Sequence, residues 1–154
     1  MAVDMFLKIS GIDGESQDSK HKDTIEIESF SWGITPREGD KQGKVSVQDF
    51  HFAKRVDKAS PILMLSCATG KHISDAVLTC RKAGEKPLEF LVIKMTDILI
   101  SSYQTGGSSG DIVPVDQFSL NFQAINVEYT PQRADGSADK PVSAGFNVKE
   151  VKRG

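Results

Sequence analysis

An uninterrupted apolar run of membrane-span or signal-peptide length is missing from these 154 residues, because Asp4 and Lys8 already interrupt the first apolar stretch. No Sec signal and no membrane insertion are therefore expected. An excess of either charge is missing too. The formal net charge is -2, which gives no reason to expect a nucleic-acid partner. Cysteine is scarce: Cys67 and Cys80 stand alone, and without a leader they are expected as free thiols rather than a disulfide. No His or Cys pair has metal-ligand spacing, so no metal and no cofactor are expected. Helical periodicity is nearly absent. One domain spanning 1–154 is long enough to bury a core without staples.

The organising stretch is Gly43 to Gly84, read as strand, short helix and strand. The helix, at about 60–69, has clear punctuation. Ser60 is placed to cap the first amides, Pro61 has the φ of a first helical position, and Gly70 suits a left-handed exit. Between them Ile62-Leu63-Met64-Leu65-Ser66-Cys67-Ala68-Thr69 is apolar on nearly every side. A helix this short cannot stand alone, so it must be sandwiched between its own sheet and a loop or another subunit.

Elsewhere Val, Ile and Phe alternate with polar residues in short runs, which is the pattern of strands. Val3, Met5, Leu7 and Ile9 share one face of the first. The apolar phase then flips near Ser29, where Ile25 and Ile27 give way to Phe30, Trp32 and Ile34. It flips again near Gln48 and Asp49, between Val45 and Val47 and Phe50 and Phe52. A hairpin with Trp32 opposite Val45, Phe30 opposite Val47, Ile27 opposite Phe50 and Ile25 opposite Phe52 matches every apolar residue to an apolar partner. The expectation is a long hairpin arm with a polar tip at Thr35 to Gln42; a pair of bulges or a barrel corner is the alternative.

Ala76, Leu78 and Cys80 mark the strand after the helix. Lys82 to Pro87 reads as a turn, Leu88 to Met95 as a strand covered on both faces, and Ile98 to Tyr103 as the continuing antiparallel run. Val115 to Tyr129 flips phase in mid-course, as a strand turning between two sheets would. Pro131 to Lys140 reads as a loop, Val142 to Val148 as the closing strand and Lys152 to Gly154 as a frayed end. The fold class is mainly β: an antiparallel β-barrel or two packed sheets, with one short α-helix and a long extended β-hairpin arm.

Catalytic readings do not survive inspection. Cys67 sits mid-helix, not at an N-terminus that would favour thiolate. Ala68-Thr69-Gly70-Lys71-His72 has Leu65 where a phosphate loop needs its first glycine and His72 where it needs a hydroxyl. The carboxylates are scattered singly. No enzyme is expected. A monomeric β-barrel module binding a small hydrophobic ligand is the rival, but apolar residues on both faces of several strands leave a surplus that favours self-association.

The run VQDFHFAKRVDKASPILMLSCATGKH from Val47 to His72, with LTCRKAG from Leu78, strongly resembles the haemolysin-coregulated protein (Hcp) family, ring-forming tube subunits of the bacterial type VI secretion system. MAVDMFLKISGIDGES at the start, SWG at Ser31 to Gly33, SSYQTGGSSGD at Ser101 to Asp111 and SLNFQAINVEYTPQ at Ser119 to Gln132 carry the same resemblance across almost the whole chain. It implies a homohexameric ring, rings stacked into a tube, and small effectors held in the lumen. It further implies a contractile sheath and a spike protein as partners. Localisation is then cytoplasmic during assembly, followed by secretion through the machine without a signal peptide. On this reading Trp32 and Leu63 are expected at the ring interface. Gly14, Gly106 and Gly107, in polar loops at Gly11 to Lys22 and Thr105 to Asp111, are expected at ring stacking. Ser29 and Ser31, small side chains opposite the aromatic face of the arm, are expected to line the lumen and contact effectors.

Overall fold

The computed structural model describes residues 3–36, 45–84, 87–110 and 112–148. Its elements in chain order are β1 (Val3–Ile9), β2 (Ile25–Glu26), β3 (Ser29–Ser31), β4 (Ile34–Pro36), β5 (Val45–Val47), β6 (Phe50–Arg55), α1 (Ser60–Thr69), β7 (Ile73–Lys82), β8 (Leu88–Gly106), β9 (Val115–Tyr129) and β10 (Val142–Asn147). The main sheet runs β2-β1-β7-β8-β9-β6-β3 with β10 on β9, and β4 and β5 form a separate pair. The fold is thus mainly β with one short helix, as its alternating pattern predicts.

The two ends of that strand order are neighbours in sequence, and this is what curls the sheet. Ile25 pairs with Leu7 on β1, and the Ile27 amide donates to the Met5 carbonyl at 2.9 Å. One residue on, the Glu28 amide donates to the Ala53 carbonyl at 2.9 Å, and Ser29 pairs with Ala53 on β6. The stretch Ile25–Ser31 stitches one sheet edge to the other, so the sheet bends into a half-barrel. The flip near Ser29 is this change of partner.

A second corner lies in the long β8–β9 hairpin. In β8 the buried positions pass from Ile93 and Met95 to Ile98 and Ile100, and in β9 from Phe118, Leu120 and Phe122 to Ile125. The strands flip together, since Met95 faces Ile125 and Ile98 faces Phe122. Asp97, between the two halves of β8, takes a left-handed φ of 51°. Reversing both strands' inner faces at one level lets a single hairpin serve both walls of the half-barrel.

The register expected for the arm is corrected. Phe30 faces Phe52, not Val47, and Ser31 faces His51; farther out Ile34 faces Val47 and Pro36 faces Val45. Ile25 and Ile27 have left for β1, so the hairpin no longer had to accommodate them. Residues 37–42 of the expected tip, 85–86 of the turn, Asp111 and the terminal 152–154 lie outside the described residues.

Helix α1 exits as expected, with Gly70 at φ 64° and its amide bonded to the Cys67 carbonyl at 3.3 Å. Its entry is different: the N-cap is Ala59, with no side-chain cap bond. Asp57 organises the turn before it, its Oδ1 accepting the Ala59 amide at 2.9 Å. The core gathers Leu7, Ile9, Ile25, Phe50, Leu63, Leu78, Ile93, Met95, Phe118 and Leu120. Aromatic rings and branched aliphatics occupy the interior where the rival reading would place a hydrophobic ligand.

Candidate functional site

Around β3, β6, β9 and β8 the pairing registers line up residues in rows. One row reads Phe30, Phe52, Phe118 and Tyr103. It faces inward, with Phe52 stacked on Phe118 at 5.2 Å. Side chains alternate across a strand, so the neighbouring rows face outward. They are Ser31, His51, Ser119 and Ser102, and Ser29, Ala53, Gln117 and Gln104. Ser29, Ser31, His51, Gln117, Ser102 and Gln104 are exposed. Ser119 is covered by Ser101 and Ser102, whose hydroxyls lie 2.7 and 2.5 Å from its own. These two rows are a field of hydroxyls and amides in which His51 is the only ionisable side chain among the eight residues named. Sequence reasoning named Ser29 and Ser31, which lie exposed on this face. It missed His51, Gln117, Ser102 and Gln104, whose polar alternation is legible but whose neighbours depend on the topology.

Helix α1 turns the usual burial pattern around. Ser60, Leu63 and Ser66 are its buried residues, while Ile62, Met64 and Leu65 are 45%, 54% and 57% exposed. Two serines point in and three large apolar side chains point out. Fully burying such a side chain is worth roughly 1.5–3 kcal/mol. The chain alone leaves roughly half of that unrealised at these three positions. The Leu63 assignment is corrected here: at 0% exposure it belongs to the protomer's own core, and the outward positions are its neighbours. Trp32 is half-buried, stacked on Phe50 at 5.7 Å and edge-on to Phe122 at 6.3 Å.

Beneath the start of α1 lies a buried charged cluster. Lys54 and Asp116 are both 0% exposed. The Lys54 ammonium donates to Asp116 Oδ2 at 2.9 Å, to Ser60 Oγ at 2.9 Å and to Asp57 Oδ1 at 2.8 Å. Asp116 also accepts from Ser60 Oγ and from the Tyr103 hydroxyl at 2.9 Å. Burial pushes the Asp116 carboxyl up, but hydrogen bonds from Ser60, Lys54, Thr105 and Tyr103 together outweigh it and hold the group below the usual carboxylate range. Burial, then the bond to Asp116, raises the Tyr103 phenol. Ser60, expected as a helix cap, is instead the helix's contribution to this cluster.

The first polar loop is pinned from its own side. Arg81 donates to Asp18 at 2.7 and 3.0 Å and to Asp4 at 3.2 Å, and its guanidinium lies 5.0 Å from the Phe6 ring centroid. His21 stacks on Phe6 at 4.6 Å and pairs with Glu89 at 2.6 Å. Gly14 is corrected as well. It is buried, and a Cβ there would meet the Thr24 carbonyl oxygen at 2.4 Å and Ile25 Cα at 2.7 Å, so its small size serves packing within the protomer. Gly106 and Gly107 are exposed, with Gly107 close against Pro114.

Among the described residues no three His, Cys, Asp or Glu side chains converge in a metal-ligating cluster. Burial pushes the Cys80 thiol up to about 11, leaving it a poor nucleophile at neutral pH.

Comparison with known proteins agrees with the curled sheet and its single helix. The sequence model described as "Type VI secretion system effector, Hcp" matches residues 6–129. The chain belongs to the Hcp family. It is 44% identical to Protein hcp1 of Pseudomonas aeruginosa, over 97% of this chain and 98% of that one. Among solved structures, Hcp1 from Salmonella typhimurium aligns with a TM-score of 0.83 at 39% identity, covering 99% of each chain. A type VI secretion system effector from Yersinia pestis aligns at 0.81 and 36%, covering 94% of this chain and 100% of that one. Within this Hcp fold the polar face and the outward side of α1 are two of the exposed surfaces among the described residues; Ile112, Tyr129 and Val142 are exposed apolar side chains elsewhere.

Proposed function

We propose that this Hcp-family chain is a tube subunit of the type VI secretion system. Six copies close into a ring, and rings stack into a tube that assembles in the cytoplasm with a sheath and spike protein. The tube then leaves the cell through the machine. The observation that carries this reading is the outward apolar face of α1, Ile62, Met64 and Leu65. A cluster of that kind beside a serine-lined inner face is the pattern of a surface meant to be covered by a second copy. On this reading Trp32, half-buried on the arm, contributes to the ring interface, and Gly106 and Gly107 belong to the stacking surface between rings.

The hydroxyl and amide face containing Ser29 and Ser31 lines the lumen and holds small effectors. Short polar side chains accept many cargo surfaces without excluding any by bulk or charge. Two substitutions test the two surfaces separately. Met64→Asp replaces an exposed side chain, so it should keep the circular dichroism spectrum and cooperative melting of the parent while reducing the mass seen by light scattering. An unchanged mass would remove α1 from the interface. Ser31→Gln should leave the ring intact and lower the amount of effector that co-purifies; equal retention would remove Ser31 from the lumen surface.

A further inference from the structure

Hydrophobic burial alone does not decide which side of α1 faces the sheet. Ile62, Leu63, Met64 and Leu65 are consecutive and all apolar, so every rotation of the helix brings a large apolar residue to the core. The rotation observed is the one that buries Ser60 and Ser66 and leaves three of the four exposed. An undirected force would favour another. What distinguishes the observed one is polar and directional: it places Ser60 Oγ within reach of Lys54, Asp116 and the Asp57 amide at once.

We propose that the buried Lys54–Asp116–Ser60–Tyr103 cluster is a rotational lock that holds the apolar face of α1 outward for subunit contact. This deepens the tube-subunit reading and rests on it for the identity of that contact. Lys54 and Asp116 are positioning residues that act through Ser60. The cluster spans β6, β9, β8 and the first turn of α1, so it refers the helix to all three strands of the adjoining wall. Hydrogen bonds are angular where apolar contacts are not, and since a buried ion pair is weak evidence of net stability, the role assigned to this one is to select the arrangement of α1. Replacing Lys54, Asp116 and Tyr103 together by apolar groups of similar size removes the buried Lys54–Asp116 pair as a whole, whereas removing one of its partners would leave the other charge buried and unpaired. Asp57, whose side chain is 14% exposed, keeps solvent and the Ala59 amide, and Ser60 Oγ keeps the Asp57 amide.

The test is the triple variant Lys54→Met, Asp116→Leu and Tyr103→Phe, compared with the parent and with Met64→Asp. The triple variant should melt cooperatively at or above the parent's temperature, yet show about tenfold or more weaker assembly by light scattering across a dilution series. Cys67, one turn from Leu63 on the helix, supplies a local readout. Once the helix turns its serine side outward, iodoacetamide should modify Cys67 about tenfold faster than in unassembled Met64→Asp, with Cys80 on β7 as the protected internal standard. A triple variant that assembles like the parent, or whose Cys67 reacts as in Met64→Asp, overturns the lock. A triple variant that fails to melt cooperatively overturns it too, because the cluster would then be required for folding. Assembly by Met64→Asp would instead sink the α1 interface itself, which separates the two failures.

Discussion

Asp18 ties the first polar loop to β7, and the tie has a pH signature. Hydrogen bonding from Arg81 is the main reason its carboxyl sits at about 2, below an ordinary 3.8. A carboxyl lowered by folding contributes stability that is fully present above its unfolded value and is lost as pH falls through the folded one. The contribution should therefore be present above about pH 4 and fade toward pH 2. Asp18→Asn should flatten the melting temperature across that window and lower it at neutral pH. A parent-like acid slope in the variant would show that Asp18 is not the group responsible. Cys80 offers a second test at this scale: its raised thiol on a buried strand should stay unmodified by iodoacetamide at pH 7.5 until denaturant is added. Equal native reactivity of Cys80 and Cys67 would contradict the burial of β7. The Asp18–Arg81 pairing was not legible beforehand, since the two residues are 63 positions apart and nothing local in the sequence joins them.

At the scale of elements, phase changes in the alternating pattern were the most informative signal. The flip near Ser29 marks where Ile25–Ser31 crosses from β1 to β6, and the flip in β9 marks the corner shared with Asp97 in β8. The partners across those flips were not legible. Pairing every apolar residue of one strand with one of the next produced a plausible register, but Ile25 had an equally apolar partner in Leu7 on β1. Periodicity says that a face is buried without saying against which strand. The same ambiguity put Leu63 at an interface, since an all-apolar helix does not reveal its inward side. Gly14 was read for loop character, when its small size answers to Thr24 and Ile25. Gly14→Ala should accordingly cost about 1–3 kcal/mol in chemical denaturation, as overpacking against backbone does. The equivalent change at exposed Gly106, which has nothing within 4 Å of a new Cβ, should cost far less. Similar losses at both would argue against the close approach of the loop to β2.

At the scale of the whole molecule, a half-barrel filled by its own aromatic and aliphatic core presents two open surfaces of opposite character. One is the hydroxyl and amide field across β3, β6, β9 and β8, and the other is the apolar outer side of α1. Family membership and the α1 surface both support the proposed assembly of this chain into a ring. Size-exclusion chromatography with multi-angle light scattering tests it most directly. The mass should be that of six chains of 16.8 kDa, holding as the protein is diluted. A particle of 16.8 kDa at every concentration would contradict it.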